Sequence, residues 1–221
     1  MEKLRHSNSF LDPNNPLIVV EFWNCAPHLE TGIEIALNHS RYSKVYYCFL
    51  GSAFDYNEIY RLDNSKGREY KYLDSLSTYS SSLKVYNPTK NNLLHESCLE
   101  ATNILKELFD YQDLHGFIYK GFPLGKLVLS NLIDRYKVAS PDIFYLRKEI
   151  AAMLSAYISV RRWMDNFLLS HTGDVCIFNG RYLLPAAIKH SAATYSRDVI
   201  YHERGGNPSL YMLSNQPVQS I

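Results

Sequence analysis

The chain has no run of about 20 apolar residues, no excess of charge of either sign and no pair of cysteines at CxxC spacing. The first absence excludes a membrane-spanning helix. The second matters because Lys plus Arg number 23 against 22 Asp plus Glu, a formal charge of +1. That balance carries none of the basic footprint that dominates nucleic-acid affinity, so no nucleic-acid partner is expected. Four cysteines, Cys25, Cys48, Cys98 and Cys176, are far apart and lie mostly in apolar runs. They read as reduced, buried thiols of a cytoplasmic protein, with no disulfide and no structural zinc. The leader MEKLRHSNSFLDPNNP lacks the apolar segment of a signal peptide. Common chemical signatures are missing too: GxxxxGK[ST], GxGxxG after the first strand, GxSxG and HExxH do not occur. Gly121-Phe122-Pro123-Leu124-Gly125-Lys126 is only a faint echo of a phosphate loop, with a proline and the wrong spacing.

What is present suffices for a full core. With 221 residues and 46% hydrophobic content, the chain can bury one large domain without staples. The run Pro16 to Trp23 is a buried strand, and Leu29, Ile33, Ala36 and Leu37 recur at helical spacing after it. Lys44 to Leu50 is a second strand, and strand, helix, strand is the opening of a parallel sheet. Residues 53–82, rich in Tyr, Ser, Asp and Lys, read as an excursion with short helical turns at most. A third strand follows at Leu83 to Pro88, and Leu94, Leu99, Ile104, Leu105, Leu108 and Phe109 outline the apolar stripe of a helix. Residues 114–123 read as an irregular strand or loop, and a helix begins near Gly125. The long helix from Tyr145 to His171 keeps its apolar pattern throughout, and a second strand, helix, strand unit spans Asp174 to His202. The expected fold is α/β: a Rossmann-like three-layer domain over 16–206, with a mainly parallel sheet and helices on both faces. A polar leader precedes it at 1–15, and 207–221 is a tail.

In such a sheet, ligands bind outside the carboxyl ends of the strands. Three polar clusters occupy that position: Asn24 to His28, Asn179-Gly180-Arg181, and His202-Glu203-Arg204-Gly205-Gly206. Glycines 180, 205 and 206 let a ligand approach the backbone, and Arg181 and Arg204 can form planar, bidentate bonds. Glu203 can accept bonds from sugar hydroxyls or remove a proton from one. Asn-Gly alone is an ordinary turn former, whereas three ionisable residues and two glycines at one strand end exceed what a turn requires. His28 and Glu30 form a further group at the start of the first helix, where a neutral histidine is a proton acceptor; Glu34, four residues on, reads as a solvated helix residue. His39, His95, His115, His171 and His190 have no partner at metal-ligand spacing and read as surface or satisfied core residues; no metal and no cofactor are expected.

The segments PHLETGIEIALNHS, YKGFPLGKLVLSNLI and FNGR followed by HERGG resemble the amino-terminal domain of bacterial glycosyltransferases that build capsular and O-antigen polysaccharide. Those enzymes look like GT-B proteins, with two Rossmann-like domains across a cleft. The resemblance implies a nucleotide-sugar donor, a glycan acceptor held by this domain and a carboxy-terminal GT-B domain beyond residue 221. It also implies a cytoplasmic location with peripheral association at the inner membrane. Carried over, it implicates Asn179, Arg181, Glu203, Arg204 and Gly205 in the cleft, with His28 and Glu30 opposite; Glu203, His28 and Glu30 are the candidate catalytic groups. Competing readings are a non-catalytic sugar, nucleotide or protein-binding module, and a structural role in which an exposed stripe on the long helix drives oligomerisation.

Overall fold

A computed structural model describes residues 11–23, 28–51, 70–88, 93–204 and 211–216; the side chains of residues 70–72, 74, 93–95 and 204 lie outside that description. Six strands form one sheet: β1 (Leu17–Glu21), β2 (Val45–Phe49), β3 (Leu83–Tyr86), β4 (Asp174–Phe178), β5 (Val199–Arg204) and β6 (Tyr211–Ser214). Their spatial order is β3-β2-β1-β4-β5-β6. The first five run parallel, and β6 is antiparallel to β5. The helices are α1 (His28–His39), α2 (Tyr70–Tyr79), α3 (Leu93–Lys106), α4 (Tyr111–Gly116), α5 (Leu124–Tyr136), α6 (Arg147–Ser170) and α7 (Leu183–Thr194).

Alternation along the strands divides the core in two. Leu17, Val19, Tyr47, Phe49 and Ile200 face a cluster with Leu29 and Ile35 of α1 and Leu73 and Leu76 of α2. Ile18, Val20, Val175 and Ile177 face the opposite layer, built by α3, α5, α6 and α7. Both faces of β1 are covered, so LIVVE is buried at every position. The chain is therefore the expected three-layer α/β domain.

Order reverses between β1 and β4. The chain leaves β1 towards β2 and β3, then crosses through α3 to α6 and returns on the other side of β1 as β4. The carboxyl ends of β1 and β4 thus diverge into α1 and α7, the crevice where such sheets bind ligands.

Several local expectations are corrected. Within 53–82 lies α2, a ten-residue helix rather than isolated turns. Residues 114–123 hold the end of the short α4 and a bridge between Tyr119 and Phe122. The capping box that starts α4 explains it: Asp110 Oδ1 accepts from the amides of Gln112 and Asp113, at 2.8 and 2.9 Å, while Asp113 reaches back to the Asp110 amide. On α3 the buried face is Ser97, Ala101 and Leu105, while Leu99 is 56% exposed and Cys98, expected to be buried, is exposed as well. The helix ends at Lys106, so Leu108, buried, and Phe109, 73% exposed, lie beyond it, and the Leu94 side chain is outside the described residues. Hydropathy alone fixes neither the phase of a helix nor the residue at which it ends.

At the other end of the sheet, β5 runs two residues past His202, and part of the expected tail is β6, paired Glu203 to Met212 and Arg204 to Tyr211. Parallel pairing with β4 stops at Phe178 and His202, so it is the antiparallel neighbour that extends the strand. The apolar stripe of α6 is consumed inside the domain, with Ile150, Met153, Leu154, Tyr157, Val160 and Met164 all buried. The exposed stripe that would favour the oligomerisation reading is not there.

Candidate functional site

The β4 end is shaped by backbone conformation. Asn179 and Gly180 both adopt the left-handed region, at φ +54 and +75. Asparagine tolerates that region and glycine is at home in it. A Cβ on Gly180 would lie 2.2 Å from the Tyr201 ring, so the position needs glycine on two counts. The turn fixes Asn179: its amide donates to the His202 carbonyl at 3.1 Å, and its side-chain Nδ2 donates to Glu203 Oε1 at 3.2 Å. Asn179 Oδ1 and Glu203 Oε2 are buried atoms with no hydrogen-bond partner. An amide and a carboxylate each keep an acceptor unspent at one strand edge, an arrangement suited to groups that donate hydrogen bonds.

Aromatic rings line the adjoining switch point. Trp23, just after β1, packs edge-on against Phe178 at 5.1 Å and Tyr182 at 5.7 Å. The ring of His28, the first residue of α1, lies 4.2 Å from Phe178. Arg181 is exposed, stacks its guanidinium 5.0 Å from the Tyr182 ring centre and donates to the Tyr182 hydroxyl. Rings with hydroxyl and ring-nitrogen edges beside unspent acceptors are what a polyhydroxylated ligand requires.

Asn179, Gly180 and Glu203 are thus brought together with Arg181 and His28 at the rim, whereas His202 meets them only through its carbonyl and turns its side chain to the other face of the sheet, towards Glu21. Glu30 is exposed in the first turn of α1. Asn24, Gly205, Gly206 and the Arg204 side chain lie outside the described residues.

Sequence reasoning missed Glu21 and Tyr47. Glu21, the last residue of β1, is 0% exposed, and its Oε1 accepts from the amides of Phe22 and Trp23 at 2.9 and 3.2 Å. Burial pushes its carboxyl up to about 7, against the pull of those two amides. Its other oxygen, Oε2, has no hydrogen-bond partner and stands 3.8 Å from His202 Nε2. His202 is 1% exposed and pushed down to about 3, by burial first and by His28 second. The signal was a glutamate inside LIVVEFW, a charge where a doubly covered strand has no room for one.

The remaining histidines fit satisfied or surface roles where they are described. His39 bonds the Asn15 carbonyl at 2.8 Å, His171 bonds the Tyr86 hydroxyl at 3.2 Å, and His190 bonds the Tyr157 hydroxyl at 2.7 Å. No group of three or more metal-ligating side chains is assembled among the described residues. Among them, no helix is long and apolar enough to cross a membrane. Comparison with known protein families, curated proteins and solved structures gives no match.

Proposed function

We propose that this chain is the acceptor-side domain of a two-domain glycosyltransferase, holding a cell-surface glycan for sugar transfer from a nucleotide-sugar donor bound mainly by a second, GT-B-type domain. The observation that carries this reading is the Asn179–Glu203 contact at the carboxyl ends of β4 and β5, which leaves two buried acceptors beside an aromatic switch point. Hydroxyl groups of a sugar match unspent acceptors, and its apolar ring face matches Trp23, Phe178 and Tyr182. Glu203 is the carboxylate placed to take a proton from the attacking hydroxyl, and His28 is the other candidate base. Arg181 at the rim suits an anionic group of donor or glycan. The reading puts the protein in the cytoplasm, at the inner face of the membrane on which the glycan grows.

The test is titration of residues 1–221 with neutral oligosaccharides and with nucleotide sugars, followed by NMR. Glycan binding that shifts the amides around Asn179 and Glu203, and weakens at least tenfold in Asn179→Ala and Glu203→Gln, is the expected result. Binding of neither ligand, or glycan binding untouched by both substitutions, overturns the assignment. Robust sugar transfer by residues 1–221 without a second domain overturns the two-domain part of it.

A further inference from the structure

Glu21 and His202 lie on the α1 side of the sheet, apart from the Asn179–Glu203 contact on the α7 side. The two oxygens of Glu21 are unequal. Oε1 already accepts two backbone amides, so a proton on this carboxyl belongs on Oε2. Across from Oε2, at 3.8 Å, is the Nε2 of a histidine that forms no hydrogen bond through either ring nitrogen. Gly32 lets α1 close over the pair: a Cβ there would sit 3.2 Å from Glu21 Oε2 and 3.5 Å from the Tyr47 hydroxyl. A glycine inside a helix costs stability, and here it makes room for the carboxyl.

We propose that Glu21 carries a proton on Oε2, facing the Nε2 of a neutral His202 across 3.8 Å, and that the state of this carboxyl positions Trp23 at the candidate site. The mechanical link is short. Glu21 Oε1 grips the amides of Phe22 and Trp23, and the Trp23 ring packs against His28, Phe178 and Tyr182. Loss of the proton places a full carboxylate charge under those amides and strengthens its hold on them. A ring that forms one wall of the site then answers to pH.

The other titratable groups facing the pair among the described residues are few. Tyr47 of β2 and Cys176 of β4 are both pushed up, by burial and then by the charge of Glu21, and stay neutral at physiological pH. His28 of α1 acts on His202 by charge repulsion. Glu203 turns to the opposite face of β5 and is engaged by Asn179. From β6, Met212 and Leu213 bring no charge.

Both functional readings of the site leave this pair intact, so it is tested on the ligand-free protein. The chain has two tryptophans, and Trp163→Phe leaves Trp23 as the sole one, excited selectively on the red edge where the 18 tyrosines do not absorb. Trp23 fluorescence is expected to change in a single step centred near pH 7. Glu21→Gln keeps an oxygen for the two amides and an N–H for His202, and it should abolish the step in a protein that remains folded. Nitrogen NMR of the wild type should show His202 neutral at pH 5, with the proton on Nδ1. A His202 ring that is cationic at pH 5, or a fluorescence step that is missing in wild type or retained in Glu21→Gln, overturns the proposal. Failure of glycan binding in the previous experiment would refute the transferase reading and leave this result standing.

Discussion

Gly180 and Glu203 show how single residues set the site. Gly180 combines a positive φ with contact against the Tyr201 ring, so Gly180→Ala meets backbone strain and a steric clash together. The strain alone is worth about 1–3 kcal/mol. Urea unfolding of Gly180→Ala should therefore show at least that loss, and a wild-type midpoint would mean the turn is not held as described. Glu203→Gln is different, because the Gln oxygen can still accept from Asn179 Nδ2. Its stability should stay within about 0.5 kcal/mol of wild type, while the proposed proton acceptor is lost. Equal damage to stability and ligand binding would make Glu203 a structural residue.

Among the elements, α6 and α7 carry the clearest buried charge. The Arg161 side chain, 6% exposed, pairs with Asp165 at 3.4 Å, bonds Thr194 Oγ1 at 3.1 Å and contacts the His190 ring. Burial first, and the Arg161 charge second, push His190 down to about 4. Arg161→Ala strands Asp165, which has a further unpartnered buried oxygen, and removal of one partner of a buried pair costs about 3–5 kcal/mol. Arg161→Met with Asp165→Leu removes both charges and should recover much of that loss in chemical denaturation. A double variant no better than Arg161→Ala would show that shape, and not the stranded charge, sets the cost. On α4, Asp110→Ala removes the capping box and should cost about 1 kcal/mol by the same measurement.

At the scale of the whole molecule, pH dependence follows from two buried groups with opposite signs. His202 sits at about 3 in the fold against 6.5 ordinarily, so its contribution is present above pH 6.5 and is lost as pH falls towards 3. Glu21 is raised from 4.5 to about 7, so its contribution is present below pH 4.5 and is lost as pH rises to about 7. Replacing Glu21 by Gln removes the second dependence. The stability advantage of Glu21→Gln over wild type should grow between pH 4.5 and 7 and level off at about 3 kcal/mol. Thermal unfolding across pH 4 to 8 checks this, and a difference that does not change with pH would place Glu21 at an ordinary carboxyl value.

LIVVE, VYYCF and DVCIF are continuous apolar runs because their strands are covered on both faces, and helical periodicity between them dictated strand, helix, strand units. Those are local signals, so the α/β class and the strand ends carrying Asn179 and His202 were legible in the chain itself. The phase and the end of α3 were not, since exposed Leu99 is as apolar as Leu105, which turns inward, and Leu108 and Phe109 continue the apolar pattern past Lys106. Nor was the strand Tyr211–Ser214, whose four residues acquire their pairing only from β5. Glu21 is the sharpest case. Its position in an apolar run marked it as unusual, but its partners are two neighbouring amides, a histidine 181 residues away and a glycine on the helix above. Local pattern determines which face of an element is apolar; which polar groups meet where those faces close depends on strand order, and only the tertiary structure decided that.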